Sequence, residues 1–151
     1  MAPEHATSPA IQAEREPATI LVVDDEAAVR AVTCDMLLEL GYSVVEAASG
    51  PDALRVWRTH PHPIDLLLID VALPGMHGLE LGERVRAMSP AMKILYMSGH
   101  VNANTIRERL CDAGAGFLEK PFTVATLMDK VRAALERSRG SGPSPVDRAI
   151  E

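Results

Sequence analysis

Five short apolar runs recur along the chain, each followed by room for a helix: TILVVD at 19–24, SVVEA at 43–47, DLLLID at 65–70, KILYMS at 93–98 and GFLE at 116–119. Their apolar character is continuous rather than alternating, which marks strands covered on both faces. Helical spacing fills the intervals. Val29, Val32, Met36, Leu37 and Leu40 fall on one face of a first helix that Gly41 ends. Ser49 and Asp52 open a second helix, which contains Ala53, Val56 and Trp57, and a third runs from about 79 to 88, before Pro90. Asn102 or Asn104 caps a fourth, with Ile106, Leu110 and Ala113 inside and Gly114 behind. Thr123 caps a fifth, striped by Val124, Leu127, Met128, Val131 and Leu135. The pattern predicts a (βα)5 chain of the α/β class, doubly wound, with a five-stranded parallel sheet between two helical layers. In such sheets chemistry gathers outside the carboxyl ends of the strands.

Length and charge narrow the function. A chain of 151 residues holds one core and no second folded domain. The Pro- and Ala-rich segment 1–18 and the Gly/Ser/Pro-rich segment 138–151 read as disordered tails or linkers, leaving 19–137 as the folded domain. The segments 1–18 and 140–151 hold half of the net charge of −6, through Glu4, Glu14, Glu16, Asp147 and Glu151 set against Arg15 and Arg148. With no basic run, the chain is expected to bind neither nucleic acid nor a membrane surface. No apolar stretch approaches the roughly 20 residues of a membrane span, and the N-terminus has no signal core. Cys34 and Cys111 stand alone and read as reduced thiols, so the expected compartment is the cytoplasm.

The predicted strand ends bring polar groups to one edge: Asp24 and Asp25 after the first, Asp70 closing the third, Ser98 closing the fourth and Lys120 after the fifth. Any one of these acids could simply end a strand and cap the next helix. Five such groups around one edge are a different matter. Three neighbouring carboxylates repel unless positive charge sits among them, and Lys120 supplies only one unit. The oxygen-only remainder suits Mg²⁺, which takes one or two carboxylates, water and a phosphate. A metal-neutralised carboxylate beside a lysine and a hydroxyl is equipped to receive a phosphoryl group. The nucleophile is then Asp70, at the end of the most apolar strand. The second strand, ending at Glu46 and Ala47, contributes nothing assignable.

At this point the motifs carry a resemblance. ILVVDDE, LLLIDVALPGMHG, ILYMSGH and FLEKPF, in that order and at those strand ends, resemble the receiver domain family of response regulators. The resemblance implies a flavodoxin-like strand order 2-1-3-4-5 and transfer of a phosphoryl group from a phosphohistidine to Asp70. It implies Mg²⁺ held by Asp25, Asp70 and the backbone carbonyl of Ala72, with Asp24 acting through a water. Ser98 and Lys120 would each contact a phosphoryl oxygen, and the Lys120–Pro121 bond would be cis. Phe117 matches an aromatic switch position but lacks the hydroxyl often found there. Switching would run through the face of the fourth helix, fifth strand and fifth helix. The implied partners are a sensor histidine kinase or a histidine phosphotransfer protein, with the chain a monomer or weak dimer that catalyses only its own phosphorylation and dephosphorylation. YMSGH and FLEKPF are similar to receivers attached to hybrid sensor kinases, so a stand-alone receiver and a piece of such a kinase both remain open.

Two positions are particular to this chain. Ala72, two residues past Asp70, offers no side-chain contact to a phosphoryl group, and His100, two past Ser98, is a candidate tuner of phosphoryl lifetime or a plain loop histidine. His77 reads as a turn element, His60 and His62 as a solvated loop, and Trp57 as a half-buried helix residue. Met36, Met88, Met92, Met97 and Met128 read as packing residues. The rival reading is a Mg²⁺-dependent phosphatase with an aspartyl nucleophile, which would want a second acid where Ala72 stands.

Overall fold

A computed structural model describes residues 17–99 and 116–136. The predicted fourth helix, His100 and Cys111 lie outside the described residues, as do both terminal segments. The elements are β1 (Thr19–Val23), α1 (Ala27–Glu39), β2 (Ser43–Ala47), α2 (Gly50–Thr59), β3 (Leu66–Asp70), α3 (Gly78–Met88), β4 (Lys93–Ser98), β5 (Gly116–Glu119) and α4 (Val124–Glu136). The fifth predicted helix is therefore α4 here.

All pairings are parallel and the strand order is β2-β1-β3-β4-β5. The central strands are buried along their length, and Leu66, Leu67, Leu68 and Ile69 are each 0% exposed. Each such side chain contributes about 1.5–3 kcal/mol of transfer free energy. Alternate residues feed two cores. Leu67 and Ile69 join Leu54, Leu81, Val85, Tyr96 and Phe117 on the face covered by α2 and α3. Leu66 and Leu68 join Leu37, Met97, Leu118, Leu127 and Val131 under α1 and α4.

Helix ends follow the local chemistry. Gly41 takes φ +97° after α1, a conformation that side chains disfavour. Ser49 caps α2 by accepting from Asp52 N at 3.2 Å, and Thr123 accepts from Thr126 N at 3.1 Å before α4. His77 is more than a turn element: its Nδ1 accepts from Leu79 N at 3.3 Å and caps α3.

The sheet-facing stripe of α1 differs from the predicted one. Thr33, Cys34 and Leu37 are buried, while Val32 is 54% exposed and Leu38 56%. A threonine can occupy the buried face because its hydroxyl donates back to Val29 O at 2.9 Å, so no polar atom is orphaned. Hydrophobicity alone counted Val32 inward and missed Thr33. Likewise Val124 and Met88 are exposed at the ends of their helices rather than packed, and Ala134 completes the α4 stripe.

Candidate functional site

Asp24 follows β1 directly and is fully buried. Its backbone N–H extends the β1–β2 ladder to Ala47 O at 3.2 Å, and its Oδ1 accepts from Glu26 N at 3.0 Å. Asp70 ends β3 and is 5% exposed, with Oδ1 accepting from Ala72 N at 3.0 Å. Lys120 follows β5, where its backbone N–H donates to Ser98 O at 2.9 Å and its bond to Pro121 is cis. Its ammonium bridges the two acids, donating to Asp70 Oδ2 at 2.9 Å and to Asp24 Oδ2 at 3.1 Å.

Asp25, next to the buried acid, is exposed, and one carboxylate oxygen from each of Asp24, Asp25 and Asp70 lies within 4.8 Å of the others. Burial pushes the Asp24 carboxyl above the ordinary carboxylate range, against the opposing pull of the Glu26 N–H and of Lys120. Burial also lowers the Lys120 ammonium, but its hydrogen bonds and attraction to Asp70 and Asp24 outweigh that and raise it overall. The site thus keeps one firmly held positive charge among three acids. An all-oxygen donor set with an accessible carboxylate fits a hard divalent cation.

The site opens into a cavity of about 820 Å³. Asp25, Asp70, Ala72 and Lys120 line its polar end, and Val32, Met36 and Phe122 continue it along α1. Ser98 is buried at the end of β4, in register with Glu119 and one residue beyond the partner of Asp70, Met97. Phe117 is buried on β5 opposite Tyr96 and belongs to the core under α2 and α3. His60 and His62 contact each other in the exposed loop after α2, with His60 Nδ1 2.8 Å from His62 O, away from the cluster.

One pair beside the site escaped the sequence reading. Arg30 on α1 donates through Nε to Glu46 Oε1 at 2.9 Å and through Nη1 to Asp24 O at 2.7 Å. Its available signal was a charged residue at the end of an otherwise apolar strand, with an arginine in the first turn of the preceding helix. The closeness of Gly78 to the backbone of Asp70 escaped it too, since no residue type announces it.

The family model for the response regulator receiver domain matches residues 20–132. The sensor kinase CckA of Brucella abortus is 38% identical over 120 residues, which cover 80% of this chain and 13% of that protein. The chain spans only a small part of the sensor kinases it matches. Among solved structures, the receiver domain of NtrX from Brucella abortus is 31% identical with a TM-score of 0.71, covering 79% of this chain and 99% of that one. The response regulator TrrA of Thermotoga maritima, solved in complex with Mg²⁺-BeF, is 30% identical with a TM-score of 0.69, covering 78% of this chain and 99% of that one. On sequence and fold alike, the chain belongs to the receiver domain family of two-component response regulators.

Proposed function

We propose that this receiver takes a phosphoryl group onto Asp70 from a phosphohistidine. The observation that carries the reading is the Lys120 bridge, which fixes Asp70 and Asp24 together while Asp25 stays open to the cavity. In the transfer an Asp70 Oδ–P bond forms as the N–P bond breaks, and the electron pair returns to the imidazole nitrogen. Asp25, Asp70 and the Ala72 backbone carbonyl would hold Mg²⁺, with Asp24 acting through a water. The ion, when bound, offsets the charge of the acids and of the incoming phosphoryl oxygens.

Phosphorylation adds roughly one further negative charge and new acceptor oxygens at Asp70. Lys120 is already in place for one of them, and Ser98 is the hydroxyl for another. Movement of Ser98 would be felt by Phe117, one strand across, and so by the surface of β5 and α4. Lacking a hydroxyl, Phe117 would report through packing alone. The domain at 19–137 would act in the cytoplasm as a signalling acceptor whose only catalysis is on itself. Among the described residues no helix is long and apolar enough to cross a membrane. The partner would be a sensor histidine kinase or a phosphotransfer protein, supported by the sensor kinases among the relatives and by the apolar run of the cavity along α1. The aspartyl-phosphatase reading is not favoured, since the family is that of receivers and Ala72 stands where its second acid would be.

Incubation with a phosphohistidine donor and Mg²⁺ tests the reading. Acid-labile, one-to-one labelling that is absent from Asp70→Asn is the expected result. Retained labelling in that folded variant would refute it.

A further inference from the structure

Arg30 is a cation that reaches the backbone of the site, at Asp24 O, and makes no hydrogen bond or ion pair with the carboxylates of Asp24, Asp25 or Asp70. Its side chain is 18% exposed, and its fork serves two acceptors, Glu46 Oε1 and the backbone carbonyl of Asp24. That carbonyl belongs to the peptide joining Asp24 to Asp25. The same residue's N–H is held by Ala47 O, so both backbone groups of Asp24 are tied, one directly to β2 and one through Arg30 to Glu46 of β2. The Asp25 carboxylate makes no hydrogen bond or ion pair among the described residues, so the backbone alone aims it.

We propose that Arg30 is a positioning residue for the metal-binding acids, fixing the Asp24–Asp25 peptide plane so that Asp25 faces Asp70, with Glu46 orienting its guanidinium. The proposal rests on the reading that Asp25 and Asp70 hold a divalent cation.

Charge and position predict opposite signs. As a nearby positive charge, Arg30 repels a cation, and its removal would tighten binding. As a positioning residue its removal loosens binding, by roughly tenfold, the low end of the loss seen when a metal ligand's supporting hydrogen bond is removed. Calorimetric titration of Mg²⁺ into the full chain compares wild type, Arg30→Ala, Arg30→Lys and Glu46→Ala, each shown to be folded by circular dichroism. Weaker binding in Arg30→Ala and Glu46→Ala is expected, and equal or tighter binding in Arg30→Ala overturns the proposal.

Arg30→Lys decides the matter if Arg30→Ala does not fold, because it keeps the charge and loses the fork. Weaker binding supports positioning, and unchanged affinity overturns it. Labelling by phosphoramidate supplies the second readout. The positioned site recovers its wild-type rate at saturating Mg²⁺, and a deficit persisting there also overturns the proposal. Absence of Mg²⁺ binding by wild type would instead refute the underlying metal assignment.

Discussion

Gly78 lies against the backbone of Asp70. Its N–H donates to Val71 O at 3.0 Å, and a Cβ on it would overlap the carbonyl oxygen of Asp70 and sit 2.7 Å from Val71 Cα. Backbone atoms cannot swing aside, so the start of α3 and Asp70 must move together. Gly78→Ala should cost about 1–3 kcal/mol in urea melts and slow the labelling of Asp70 even at saturating Mg²⁺. Gly75 is the control. It has φ +74° and open space around its Cβ position, so Gly75→Ala should cost about 1–2 kcal/mol from backbone strain and leave the labelling rate alone.

The raised Asp24 carboxyl has a consequence for the metal-free protein. Its folded-state pKa lies above the unfolded one, so its contribution to stability is full below the unfolded value and is lost as pH rises through the folded value. At neutral pH its charge is therefore a cost that only partners offset. Asp24→Asn should raise the melting temperature of the metal-free protein at neutral pH by a few degrees. Mg²⁺ should stabilise wild type more than the variant, and melting curves with and without the ion check both signs.

An alkaline transition should report Tyr96. Its hydroxyl reaches the face of α3 where Gly82 has no side chain, and burial pushes its pKa up to about 12. Because the folded value exceeds the unfolded one, this stability is present below about pH 10 and is lost between about pH 10 and pH 12, up to about 2–3 kcal/mol. Lys120, also raised, loses its share above its ordinary value in the same direction. Urea melts at about pH 9 and about pH 11 should show the loss, and Tyr96→Phe should flatten it. Gly82→Ala should destabilise strongly at any pH. Tyr96→Phe should relieve it only in part, since the ring carbon Cζ would still lie 2.8 Å from the added methyl.

Much of this was legible in the chain because parallel strands buried on both faces leave unbroken apolar runs. The strand limits differ from the expected ones by a residue at most: Asp24 and Asp65 fall just outside β1 and β3. Polar residues ending such runs, as Asp70 and Ser98 do, are conspicuous for the same reason. What was illegible depends on rotation and on backbone proximity. The inward face of α1 turned on Thr33 satisfying its own hydroxyl, which hydrophobicity does not register. Arg30 bonds to a carbonyl, and every residue has one. Gly78 reads as a turn glycine until the chain is folded against Asp70.

The most direct measurement is mapping the phosphoryl group after reaction with a phosphohistidine donor, by intact mass and then by peptide mass spectrometry, with and without Mg²⁺. A single added phosphoryl group, located on Asp70, formed in the presence of Mg²⁺ and suppressed by chelation, is the expected result. A phosphoryl group on any other residue, or labelling of Asp70 at the same rate after chelation, would contradict it.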